Sequence, residues 1–159
     1  MDGVYKELNS IINAFYSKYR DVNEEIASKR SGNGQANGKW TLKEILGHLI
    51  DSASNNHQRF VRLQIVDELI FPGYGKDNVK WLGIEKYNEL NFSDIILLWR
   101  QYNVLIGNII REVDESKLEN YWEKPDGDKI TLKDLMIDYV RHLKEHIKHF
   151  EQTLAEING

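Results

Sequence analysis

The stretch Asp134-Leu135-Met136-Ile137-Asp138-Tyr139-Val140-Arg141-His142-Leu143-Lys144-Glu145-His146-Ile147-Lys148-His149-Phe150-Glu151 decides the fold. It contains neither proline nor glycine, and its apolar residues recur at three- and four-residue steps, the period of an amphipathic helix. Leu135 and Tyr139 continue into His142, His146 and His149 along one core-facing stripe. An imidazole on such a stripe must find hydrogen-bond partners or ligate something. Two histidines four apart on a helix sit one above the other, about 6 Å apart, close enough to share one transition-metal ion. His142 and His149 are separated by about 10 Å of helix rise, too far for one ion to bridge. The pair is therefore His142 with His146 or His146 with His149. Position favours the first, because His149 lies a further turn toward the terminus.

A third ligand must come from elsewhere, and His48 in Lys43-Glu44-Ile45-Leu46-Gly47-His48-Leu49 is the best candidate. It follows Ile45 and precedes Ser52 on what reads as an inward helix face. His57, nine residues later, falls about half a turn round and faces away. His142-Leu143-Lys144-Glu145-His146 also matches the His-x-x-Glu-His pattern of one class of zinc peptidases. Those enzymes take their third ligand from a later helix, for which little sequence follows His146. No Glu-x-x-His occurs, which argues against a ferritin-like di-iron site.

The remaining chain supports a helical reading. Val4, Leu8, Ile11, Ile12, Phe15, Tyr16 and Tyr19 form a first amphipathic helix, extending in broken form toward Arg30. Ser31-Gly32-Asn33-Gly34-Gln35-Ala36-Asn37-Gly38 reads as a mobile linker; it lacks the Gly-Lys-Ser or Gly-Lys-Thr of a phosphate cradle. Thr41 with Glu44 is a capping box that starts a second helix, predicted to run to about Leu69. Phe71-Pro72-Gly73-Tyr74-Gly75 breaks the pattern, and Lys76 to Asn91 is irregular or briefly helical. Ser93 is the predicted cap of a third helix, with Ile95, Leu98, Trp99, Tyr102, Ile106, Ile109 and Val113 as its stripe. Lys124-Pro125-Asp126-Gly127-Asp128 is a turn signal for a short hairpin between Tyr121 and Ile130. Thr131 with Asp134 opens the last helix, which continues to about Ile157. Four long amphipathic segments predict an all-α four-helix bundle, one domain over residues 1–159.

Composition narrows the function. Charged residues make up 29% of the chain, the net charge is −4, and the lysines and arginines are scattered, so no nucleic-acid footprint appears. No apolar run is long enough to span a bilayer, and Met1-Asp2-Gly3-Val4 lacks a signal-peptide pattern, so a cytoplasmic protein is expected. Cysteine is absent, which removes disulfides, thiolate ligands and a cysteine nucleophile together. Any metal must be held by imidazole and carboxylate, and any thiol chemistry needs a thiol from outside the chain.

Trp40-Thr41-Leu42-Lys43-Glu44-Ile45-Leu46-Gly47-His48-Leu49-Ile50-Asp51-Ser52 resembles the second-helix pattern of the DinB-like (DinB/YfiT) metalloenzyme family. The His-x-x-x-His of His142 and His146 matches that family's other hallmark, and Phe71-Pro72-Gly73-Tyr74 and Trp99-Arg100-Gln101-Tyr102-Asn103 look like one of its branches. The resemblance covers nearly the whole chain. It implies a four-helix bundle, often homodimeric, with His48, His142 and His146 holding zinc, nickel or another divalent ion. It further implies an enzyme acting on a small molecule, a transferase or hydrolase that activates a low-molecular-weight thiol. It assigns no role to His149 and no catalytic base. On helical position, Asp138 either orients His142 or stands solvated, and Trp40, Asn55 and Tyr139 are placed to line the pocket. The rival readings are a metal-binding stress or accessory protein without turnover, and a helical interaction bundle with structural histidines.

Overall fold

The computed structural model describes residues 1–31 and 39–159. The glycine-rich linker reading falls, from Gly32 to Gly38, outside the described residues. Helix α1 (Asp2–Tyr19) is followed by the single turn α2 (Glu24–Ala27). Helix α3 (Leu42–Arg62), strand β1 (Glu68–Ile70) and helix α4 (Asn78–Glu85) come next. Helix α5 (Phe92–Arg111), strands β2 (Tyr121–Glu123) and β3 (Lys129–Thr131), and helix α6 (Leu132–Asn158) follow.

The four long helices form the predicted bundle. Helix α5 packs on both α1 and α3, and α6 packs on the same two, so the order around the bundle is α1-α5-α3-α6. Successive long helices, α1 with α3 and α5 with α6, therefore face each other across diagonals. A plain up-and-down bundle sets successive helices side by side over short loops; here residues 20–41 and 112–131 are long enough to cross. Leu8 and Phe15, Ile45 and Leu49, Ile95 and Trp99, and Leu143 and Phe150 meet in the middle. The Phe15 ring centroid lies 4.8 Å from Trp99 and 5.0 Å from Phe150.

The starts of α3 and α6 follow their sequence signals. Thr41 Oγ1 accepts from Glu44 N and Glu44 Oε2 accepts from Thr41 N, so both halves of the capping box form. Thr131 Oγ1 accepts from Asp134 N at the start of α6. Helix α5 differs from expectation. Asn91, not Ser93, is its N-cap, and Ile96 and Ile110 join its buried stripe while Leu98 is half exposed.

Helix α3 also ends earlier than the pattern predicted, at Arg62 rather than near Leu69. Asn120 Nδ2 donates to the carbonyls of Leu63 and Val66, which satisfies acceptors the helix end leaves free. Glu68–Ile70 then turns into β1, parallel to β2, and β2 pairs antiparallel with β3. The hairpin turn places Gly127 at φ 89°, a conformation that favours glycine. Among the described residues no helix is long and apolar enough to cross a membrane.

Candidate metal centre

Helices α3 and α6 are neighbours, and their facing sides bring three imidazoles together. One ring nitrogen from each of His48, His142 and His146 falls within 4.8 Å of the other two. His48 is buried, and the α6 pair is half buried. The residue before His48 explains how the chain fits there. A Cβ on Gly47 would stand 2.1 Å from the Tyr87 ring, so only glycine admits that ring against α3. The Tyr87 hydroxyl reaches one turn along and donates to Asp51 Oδ1 at 2.6 Å. The other oxygen, Asp51 Oδ2, is buried and has no partner among the described residues, and burial pushes the carboxyl up to about 6.

Tyr74, on the loop after β1, holds the outer nitrogen of His48. Its Oη lies 2.7 Å from His48 Nδ1, and its own O–H faces the His48 carbonyl at 3.4 Å. Ser52 Oγ stands 3.5 Å from His142 Nδ1. With a proton on Nδ1 of each ring, tautomers assigned from these partners, the two Nε2 lone pairs converge at 3.3 Å. Facing lone pairs repel unless a cation lies between them. Two ligands about 2.0–2.1 Å from an ion in tetrahedral array stand roughly 3.3–3.4 Å apart, so this pair already has ligand spacing. His146 Nδ1 is buried with no hydrogen-bond partner among the described residues, an orphaned nitrogen of the kind a metal centre accounts for. The donor set thus fits a divalent ion.

Electrostatics keep the rings neutral, the form that ligates. Burial, then the other imidazoles, push His48 down to about 3 and His146 down to about 4. His142 is lowered by burial against the opposing pull of Asp138 and Glu145. His149 is lowered by burial and stands outside the group, its ring 6.0 Å from that of His146.

Trp40, just ahead of α3, lies beside three of the histidines, with centroid distances of 5.1 Å to His48, 6.3 Å to His146 and 6.2 Å to His149. The other anticipated lining residues are engaged by hydrogen bonds within the bundle. The Tyr139 hydroxyl donates to Asn103 Oδ1 at 2.7 Å inside the core, and Asn55 donates to the Asp51 carbonyl along its own helix. Asp138 is exposed and paired with Arg141 rather than with His142. His57 is turned from the site, 3.3 Å from the Tyr102 hydroxyl. Sequence reasoning missed Tyr74 as a partner of His48, although Phe71-Pro72-Gly73-Tyr74 carried part of the resemblance. It also missed Arg59, which lines a cleft of about 550 Å³ beside Tyr74.

The model of the DinB superfamily matches residues 18–150. A protein of Oceanobacillus iheyensis named "Putative metal-dependent hydrolase OB0782" is 24% identical, over 89% of this chain and 84% of its own. The "Putative metal-dependent hydrolase YfiT" of Bacillus subtilis is also 24% identical, over 94% of this chain and 90% of its own. A solved structure of YfiT, described as "a probable metal-dependent hydrolase with an unusual four-helix bundle topology", superimposes with a TM-score of 0.82. That match covers 99% of this chain and 87% of the other at 19% identity, a likeness of fold.

Proposed function

The chain belongs to the DinB superfamily, and from that premise we propose that it is a metal-dependent enzyme for a small-molecule substrate, with His48, His142 and His146 holding one divalent ion. The observation that carries this reading is the convergence of the three imidazoles, with His48 and His142 Nε2 3.3 Å apart and His146 Nδ1 orphaned. His48, His142 and His146 would hold such an ion through neutral imidazoles, and it would supply Lewis-acid chemistry, lowering the pKa of a water or thiol. Zinc and nickel suit an all-imidazole set.

The chain's own residues do the positioning. Tyr74 fixes the tautomer and tilt of His48 by accepting its Nδ1 proton, and Ser52 stands at the corresponding atom of His142. Trp40 walls the site on the side of His48, His146 and His149. Hydrolysis is the reaction that the relatives' names favour. The family resemblance supports a second reading, transfer to or from an external low-molecular-weight thiol, with which the absence of cysteine agrees. On the family premise the working unit is a cytoplasmic homodimer.

The test is metal content by plasma mass spectrometry on protein purified without a His tag, beside His142→Ala. About one divalent ion per chain, lost in the variant, supports the centre. The loaded protein is then assayed on ester and amide panels and on thiols paired with electrophiles. Turnover abolished by chelation supports the enzyme; loading without turnover on any panel favours an accessory metal-binding protein. Failure to load after incubation with zinc, nickel and manganese overturns the reading and leaves a bundle with structural histidines.

A further inference from the structure

His48, Ser52, Asn55 and Arg59 follow one another along α3 at steps of four, three and four, and all four are buried. Arg59 lies within about 20° of the same helix face as His48 and about 16 Å further along the axis. It is only 6% exposed, yet its described partners are neutral. Nη1 donates to Asn56 Oδ1 and Nη2 to the Pro72 carbonyl, both at 3.3 Å, and Nε is buried with no partner among the described residues. The guanidinium stacks over Trp122 at 4.0 Å, a contact that attracts the cation through its face and uses none of its in-plane N–H groups. Burial pushes its pKa down to about 10, so it remains charged at neutral pH. A buried charge of this kind calls for an anion.

The cleft beside it, about 550 Å³, has the volume of a small-molecule site. Its rim carries Lys76 and Lys124; Lys80 engages Asp77 at 2.8 Å, and Lys124 is itself held by Asp128 at 2.6 Å and Asp126 at 3.8 Å. Tyr74 belongs both to this cleft and to His48. A second path joins the two places through α3. Arg59 donates to Asn56, Asn56 Nδ2 donates to Ser52 Oγ at 3.4 Å, and Ser52 Oγ faces His142.

We propose that this cleft binds the oxyanion of the substrate, a carboxylate or a phosphate, on the Arg59 guanidinium, with the reacting end of the substrate directed past Tyr74 to the histidines. The oxyanion contact stands on Arg59 and the cleft; the direction of the reacting end rests on the metal-site reading above. The planar fork of arginine matches both oxyanions, and Lys76 at the rim adds positive charge that draws an anion inward.

Calorimetric titration of chelator-treated protein with phosphate and with succinate tests the contact. Saturable binding of at least one is expected, weakened at least about tenfold in Arg59→Lys, which keeps the charge but loses the fork. Which of the two binds identifies the oxyanion. On the unsubstituted protein, the nitrogen-15 resonance of Arg59 Nε–H should shift along the same isotherm, a readout that needs no variant. No saturable heat with either anion, an isotherm unchanged in Arg59→Lys, or an Nε–H signal that stays in place would each overturn the proposal. Metal content measured before chelation separates the two readings. Protein that loads metal but binds neither anion sinks the oxyanion site alone. Protein that binds an anion but never loads metal sinks the metal centre and leaves the Arg59 contact standing.

Discussion

Tyr74 Oη and His48 Nδ1 stand 2.7 Å apart although 26 residues separate them in sequence. The bond joins the irregular segment after β1 to the buried face of α3, and it fixes which nitrogen of His48 turns toward His142. A ligand's outer partner of this kind typically contributes about 10–100-fold to metal affinity. Tyr74→Phe should therefore weaken metal binding by that factor while keeping the aromatic stack on His48. The metal-free variant should lose about 1–3 kcal/mol, because a buried imidazole N–H is left without an acceptor. Competition against a chromophoric chelator measures the first effect, and urea unfolding the second. Unchanged metal affinity would remove Tyr74 from the centre.

Gly47 tests how tightly the second-helix pattern is built. An added methyl group would overlap the Tyr87 ring at 2.1 Å, and that ring cannot retreat without releasing its bond to Asp51. Overpacking costs about 1–3 kcal/mol, against about 1 kcal/mol that alanine gains over glycine inside a helix. Gly47→Ala should be net destabilising, whereas the same change made in a Tyr87→Ala background should be stabilising relative to Tyr87→Ala alone, which carries its own cost for the lost buried ring. Denaturant midpoints of the two single variants, the double variant and the parent chain decide it. A stabilised Gly47→Ala variant would mean that Tyr87 moves aside freely.

The period of the chain made the bundle legible, because apolar residues at three- and four-residue steps bury the same way whatever they meet. The caps at Thr41 and Thr131 were equally readable, being local chemistry between residues three apart. The histidines were readable as a group because His142 and His146 share a turn and His48 sits on an inward face. Tyr74 was not, since its position depends on where an irregular segment folds back. The early end of α3 was hidden for a related reason. Asn120 and strand β2, more than fifty residues away, draw the chain out of the helix. Tyr139 misled the reading in the opposite sense: it shares the histidine stripe, but the diagonal packing turns it to Asn103.

Acid should destabilise the metal-free protein well above the usual carboxylate range. His48 and His146 titrate near 3 and 4 when folded and near 6.5 when unfolded, and His142 and His149 are lowered too. A depressed folded pKa leaves stability intact above about 6.5 and removes it as pH falls toward the folded value; His48 alone accounts for roughly 3 kcal/mol by pH 4. Asp51 acts the other way, because its raised pKa of about 6 costs stability as pH rises from 3.8 and returns it as pH falls. Four imidazoles outweigh one carboxyl, so the net is a loss. Urea midpoints with chelator present should fall between about pH 7 and 5, and added metal should shift the loss to lower pH, since ion and proton compete for the same nitrogens. Midpoints that stay flat over that interval would contradict the buried, neutral imidazoles.

Tyr139 supplies the control that separates core from centre. It is buried on the same helix as the α6 pair, one turn before His142 on the stripe, but its hydroxyl is spent on Asn103, whose own amide donates to the Trp99 carbonyl. Tyr139→Phe keeps the ring against Phe60 and strips Asn103 Oδ1 of its donor. An orphaned buried acceptor costs about 1–3 kcal/mol, so the variant should unfold at lower urea. Its metal content should match that of the parent chain, because the lost bond lies inside the helical core and touches none of the three imidazoles. Tyr74→Phe and Tyr139→Phe remove the same atom from the same side chain, yet only the first should change metal affinity. If Tyr139→Phe also lost the ion, the core between α5 and α6 and the histidine group would be one mechanical unit, and the separation drawn here would fail.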